Sequence, residues 1–146
     1  MTAKKEPSAI KLVEVTGTDG KHGSPILPHG KKNFIVDIDG VVCEDVPNEE
    51  AWRMPDAAEI PGSKEQINRW FDEGNIISFF TARTEEHRAA TEGWLKKHGF
   101  KYHKLLMGKP RGGNYHYIDD RVIKATRFEG KLGKLVKKKL EIEVFE

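Results

Sequence analysis

The chain contains a single cysteine, Cys43, so no internal disulfide can form and the fold must rest on packing. Nothing in it approaches the roughly 20 consecutive apolar residues that span a bilayer. The polar start, Met1 to Pro7, does not lead into the apolar core of a signal peptide. Neither charge sign dominates: with 33% charged residues and a net charge of +2, the surface exerts no strong pull toward nucleic acid or anionic membrane. None of the six histidines falls in a metal-ligand spacing, which argues against zinc. A soluble protein of the reducing cytoplasm, with no membrane partner and with nucleic acid disfavoured, is the expectation. At 146 residues there is room for one hydrophobic core and one folded unit.

What is present divides at residue 33. Residues 1–32 are rich in Gly, Lys and polar side chains, and only Ile10 to Val15 reads as a short strand, so this stretch is taken as an N-terminal extension of unknown role. Residues 33–146 carry regular signals. Phe34 to Asp39 is a continuous apolar run ending in carboxylates, the pattern of a buried parallel strand. After an irregular stretch with Pro47, Pro55 and Pro61, Ser63 opens a helix with Gln66 at the capping-box position and Ile67, Trp70 and Phe71 on one face, closed by Gly74. Ile76 to Phe80 is a second buried strand. Thr84 then caps a helix carrying Ala90, Trp94 and Leu95, which ends at Gly99. Tyr102 to Met107 and Tyr115 to Ile118 read as further strands, and the tail as a basic helix, Lys131 to Leu140, followed by an edge strand, Glu141 to Phe145.

Alternating strands and helices at this spacing predict an α/β domain with a mostly parallel sheet and helices on both faces. Ligands of such sheets bind beyond the carboxyl ends of the strands. Polar residues stand at those ends: Asp37 and Asp39 after the first strand, Thr81 after the second, Lys109 after the third, Asp119 and Asp120 after the fourth. Two carboxylates two apart on an extended segment face the same way, so one can attack an electrophile while the other handles a proton. Four acidic groups in one pocket repel one another and any phosphate unless a cation sits among them. Oxygen ligands with space for water and substrate suit Mg²⁺. Thr81 and Lys109 supply a hydroxyl and a positive charge for phosphoryl oxygens, the charge neutralisation that phosphate-ester hydrolysis depends on.

At these residues the sequence resembles the haloacid dehalogenase (HAD) superfamily, from about Asn33 to Phe128. Asp37-Ile38-Asp39-Gly40-Val41-Val42 is similar to its first motif, Thr81 in Phe79-Phe80-Thr81-Ala82-Arg83 to the second, Lys109 in Gly108-Lys109-Pro110 to the third, and Tyr117-Ile118-Asp119-Asp120-Arg121 to the fourth. The resemblance implies a Rossmann-like phosphatase core, with Asp37 as nucleophile forming an aspartyl-phosphate and Asp39 as general acid and base. It implies Mg²⁺ held by Asp37, the backbone carbonyl of Asp39, and Asp119, with Asp120 helping directly or through water. Thr81, Ala82, Arg83, Lys109 and Arg111 are the candidate substrate-binding residues. The spacing between motifs is filled by one crossover helix each, so no large cap domain is expected, and Cys43 to Pro61 forms at most a small flap.

The expected function is therefore hydrolysis of a small phosphorylated metabolite, a sugar phosphate or nucleotide. The alternatives are a phosphatase of nucleic-acid ends or phosphoproteins, and a non-catalytic phosphate- and metal-binding domain. An uncapped site sometimes borrows cover from a second copy of the chain, which leaves a homo-oligomer open. Ordinary roles compete at each position: a strand-end Asp can cap a turn, Thr81 can satisfy local backbone, an arginine can be solvated surface, and Cys43 and the three tryptophans fit packing.

Overall fold

A computed structural model describes residues 11–128 and 130. The strands are β1 (Val13–Thr16), β2 (His22–Ile26), β3 (Asn33–Val36), β4 (Ile76–Phe80) and β5 (Lys104–Leu106), and the helices are α1 (Ser63–Asp72) and α2 (Arg88–Lys97). Two 3₁₀ segments, Asn48–Asp56 and Glu85–His87, complete the regular structure of the described residues.

The sheet of the domain is parallel, in the order β3-β4-β5. Asn33 to Val36 pair with Ile76 to Phe79, and Ser78 to Phe80 with Lys104 to Leu106. α1 links β3 to β4 and α2 links β4 to β5, the crossovers that the alternating pattern requires. The chain is thus a small α/β fold, as expected. Its core gathers Ile38, Val42, Met54, Ile67, Ile77, Phe79 and Leu95. Two of the three tryptophans pack: Trp70 stacks on Phe34 at 4.1 Å, and Trp94 stacks on Phe100 while donating its indole N–H to the Ala57 carbonyl at 3.0 Å. Trp52, also expected to pack, is 72% exposed.

The helix starts depart from the capping expectations. α1 is preceded by Gly62 at φ 84°, and the Ser63 hydroxyl donates to the Ile60 carbonyl at 2.7 Å instead of closing a capping box with Gln66. Thr84 makes no side-chain cap bond; a 3₁₀ turn follows it and α2 begins only at Arg88.

Two strand expectations change more. Within residues 11–32 there is a hairpin, β1 pairing antiparallel with β2, of which only part of β1 was foreseen. Its strands are exposed throughout, so no buried face announces β2 in the sequence. Tyr115 to Ile118 forms no strand. Gly112, Gly113 and Asn114 all take positive φ just before it, residues 111–120 are exposed, and no ladder partner lies alongside among the described residues. The basic helix and edge strand expected over 131–145 lie outside the described residues. Among those described, no helix is long and apolar enough to cross a membrane.

Candidate active site at the strand ends

β3 ends at Val36, and Gly40 at φ 85° then allows a tight turn in which the Val41 and Val42 amides donate to the Ile38 carbonyl. The ladder with β4 stops at Val36 and the chain bends at Ile38, so Asp39 does not simply continue the strand's alternation. The two carboxylates consequently have different surroundings.

Asp37 is 39% exposed and accepts from Lys109 Nζ at 2.9 Å and from the Ile38 amide at 2.8 Å. Asp39 is held inside. Its Oδ2 accepts from Arg83 Nε at 3.0 Å, and its Oδ1 from Arg83 Nη2 at 2.8 Å and from the Val46 amide at 3.3 Å. Arg83, 2% exposed, also donates to Thr91 Oγ1 at 3.0 Å. The guanidinium expected to grip substrate is instead a buried brace joining the Asp39 turn to α2. A bidentate fork suits that task, and sequence alone gave no way to separate it from an exposed arginine. Cys43 packs beside it as the expected buried thiol; burial foremost, with the adjoining Asp39 carboxylate, pushes it up to about 12, which makes it a poor nucleophile.

β4 and β5 place the remaining pieces. Thr81 follows β4 directly and is fully buried, its Oγ1 accepting the Arg83 amide at 3.1 Å and its carbonyl accepting the Lys109 amide at 2.8 Å. In this arrangement it organises the loop rather than offering its hydroxyl to solvent. Gly108, at φ 78°, donates its amide to the Arg83 carbonyl and turns the chain so that Lys109 points back to Asp37. The Lys109 ammonium lies 6.0 Å from the Phe80 ring centroid and 5.0 Å from that of Tyr115. Tyr115, read in sequence only as a strand residue, thus joins the site, its hydroxyl donating to the Pro110 carbonyl. The Ala82 carbonyl accepts from Asn48 Nδ2 at 3.2 Å, and Arg111 forms a two-oxygen contact with Glu49 at 2.8 and 3.0 Å.

The acidic pair is not brought to these residues. Asp119 accepts the Tyr117 hydroxyl at 2.6 Å and the Arg121 amide at 3.0 Å, which hold its carboxyl below the usual range, and Asp120 is exposed beside it. Among the described residues no three His, Cys, Asp or Glu side chains are grouped so as to hold a metal ion. Of the implied magnesium ligands, Asp37 and the Asp39 backbone stand at the strand ends, while Asp119 and Asp120 are held apart from them. The implied ligand set is therefore not assembled in this arrangement, and only its Asp37 and Asp39 part stands beside Lys109.

No family profile matches the chain, and no curated protein matches it. Two solved structures are similar in shape. A crystal structure of an MCSG target from Vibrio cholerae shares 23% identity with a TM-score of 0.49, over 75% of this chain and 91% of that one. A chain of the Pnkp1/Rnl/Hen1 complex shares 20% identity with a TM-score of 0.49, over 81% of this chain but only 36% of that one. Likenesses this distant say nothing about chemistry.

Proposed function

We propose that the chain is a phosphomonoester hydrolase of the haloacid dehalogenase type, with a Rossmann-like sheet and no large cap, acting on a small phosphorylated metabolite such as a sugar phosphate or nucleotide through an aspartyl-phosphate on Asp37. The observation that carries the reading is the 2.9 Å contact between Lys109 Nζ and Asp37 Oδ1, made beyond the carboxyl ends of parallel strands. Asp37 is the one carboxylate of the site's inner pair that is both accessible and paired with a cation.

In the proposed reaction an Asp37 oxygen attacks phosphorus in line with the ester oxygen. The bond to the leaving group breaks as the Asp37–phosphorus bond forms, and Lys109 offsets the charge that gathers on the phosphoryl oxygens. The leaving oxygen takes a proton that Asp39 has first accepted from solvent, and Asp39 regains one from the water that cleaves the aspartyl-phosphate. For that role Asp39 has to give up part of its contact with Arg83. Magnesium dependence belongs to the proposal because a carboxylate and a phosphate dianion need more positive charge than Lys109 supplies. No step is assigned to the ion.

A second reading, a phosphate-binding domain without turnover, draws on the same Asp39–Arg83 pair, which leaves no free general acid. Trapping separates the two. Incubation with a labelled acyl phosphate and Mg²⁺, followed by acid quench, should place label on Asp37 and none on Asp37→Asn. Label on neither protein, with phosphate still bound, would favour the domain without turnover.

A further inference from the structure

The first turn of the 3₁₀ segment Asn48–Asp56 is tied to both loops that build the site. Asn48 donates to the carbonyl of Ala82, the residue after Thr81, and Glu49 pairs with Arg111, two residues beyond Lys109. Contacts therefore run from Asp37 to Lys109, along the chain to Arg111, across to Glu49 and Asn48, and back to Ala82 beside Thr81. Two members of this ring differ from the rest. Arg111 and Glu49 are 58% and 62% exposed, whereas Lys109 and Arg83 are largely covered and already matched to Asp37 and Asp39.

An exposed ion pair is worth about 0–1 kcal/mol, so its partners exchange readily. Two residues of chain span at most about 7 Å, so Lys109 and Arg111 share one short loop, and a molecule bound at Lys109 that extends along that loop meets the Arg111–Glu49 pair. A monophosphate held by Lys109 has no call on Arg111. A molecule carrying a second anion does, and it must first displace the Glu49 carboxylate.

We propose that Glu49 is the displaceable counterion of Arg111, so that the site selects phosphate esters whose leaving group carries a second anionic group, a phosphate or a carboxylate, and holds them by exchanging Glu49 for that group. The pairing of Glu49 with Arg111, which holds the Glu49 carboxyl below its usual range, keeps the counterion ionised and in place when no substrate is bound. Glu49 is a specificity residue in this scheme and touches no reacting atom. The inference rests on the hydrolase reading for the word substrate, but its binding selectivity can be measured without turnover.

The test uses two non-hydrolysable probes, methylenediphosphonate and methylphosphonate, titrated into the full chain by calorimetry without added metal and at one low ionic strength. Glu49→Gln should tighten methylenediphosphonate by up to about fivefold, the release of an exposed ion pair, and leave methylphosphonate unchanged. Arg111→Gln should weaken methylenediphosphonate, and Glu49→Gln added to it should have no further effect. Asp45→Asn, which removes an exposed charge four residues away, should match wild type. The proposal is overturned by equal tightening of both probes, by an equal gain in Asp45→Asn, by a Glu49→Gln effect that persists without Arg111, or by no binding of either probe. Label on Asp37 in the trapping experiment with no Glu49 selectivity would remove this inference alone. Glu49 selectivity without label would leave an anion-selective site and remove the hydrolase reading.

Discussion

Asp37 and Asp39, two residues apart, are expected to respond oppositely to substitution. Asp37 is partly exposed and its link to Lys109 resembles a surface pair, so Asp37→Ala should shift stability by about 1 kcal/mol or less while abolishing phosphoenzyme formation. Asp39→Ala strands the Arg83 guanidinium, buried and matched to that carboxylate, and should cost about 3–5 kcal/mol in urea unfolding. Similar unfolding midpoints for the two variants would contradict the buried brace. Lys109 sits between these cases. Its Nζ faces Asp37 and two aromatic rings at once, so Lys109→Ala should lower turnover by about 10²-fold, and Lys109→Arg should restore part of it, because a planar fork does not replace a compact ammonium. Lys104→Ala, on exposed β5 surface, is the control; a loss there with Lys109→Ala near wild type would remove Lys109 from the site. The sequence singled out Asp37 and Lys109 because each stands at the carboxyl end of an apolar run, and the fold brings the two within 2.9 Å. It could not divide the roles of Asp39 and Arg83, since burial of a charge depends on what faces it across the fold and not on its neighbours in the chain.

The junction of β4 and β5 provides a pH-dependent element. The His103 amide donates to the Ile77 carbonyl at 2.9 Å, and in the neutral ring Nδ1 accepts the Ile77 amide at 3.1 Å, while Phe71 stacks on the imidazole at 4.6 Å. Burial is the largest influence on the ring and holds its pKa below the ordinary value of 6.5, outweighing the Ile77 backbone. With the folded pKa depressed, the unfolded chain takes the proton first. The contribution of His103 is therefore full above about pH 6.5 and is lost as pH falls below it. Urea midpoints measured from about pH 7.5 down to about pH 5 should decline, and His103→Gln should flatten that decline; parallel profiles for the two proteins would rule His103 out. The elements legible in sequence are those with a buried apolar signature: Ile76 to Phe80 forms β4 as read, and α1 begins at Ser63. β2 and the start of α2 were missed for one reason. An exposed strand and a helix preceded by a 3₁₀ turn carry no period that a core imposes. The reading of Tyr115 to Ile118 as a strand failed in the opposite direction, because strand propensity says nothing about whether a partner edge is reached.

At the scale of the whole molecule, one edge of the sheet carries no further strand among the described residues. β3 lies at one end of the order β3-β4-β5, and its Ile35 is 60% exposed. The residues that precede the acidic pair, Tyr115, Tyr117 and Ile118, are exposed as well. Asp119 is held by its neighbours Tyr117 and Arg121, and Arg121 in turn donates to the Ser24 carbonyl on β2, which ties this end of the segment to the hairpin. If magnesium serves the proposed reaction, Asp119 and Asp120 have to leave these contacts and join Asp37, and the edge of β3, unpaired among the described residues, lies next to Asp37 for such a move. The rearrangement would bind the ion only in the folded state, which makes it visible as stabilisation. At about 100 times the dissociation constant a ligand adds about 2.7 kcal/mol, several degrees in Tm for a chain of this length. Mg²⁺ with inorganic phosphate should therefore raise the Tm of the wild-type chain, and the Asp119→Asn/Asp120→Asn double variant should lose the rise while keeping its Tm without metal, since both side chains are exposed. Tyr117→Phe, which frees Asp119 from its hydroxyl donor, should shift the Mg²⁺ midpoint to lower concentration. An equal rise in wild type and double variant would place the ion elsewhere, and no rise in wild type would remove magnesium from the proposed reaction.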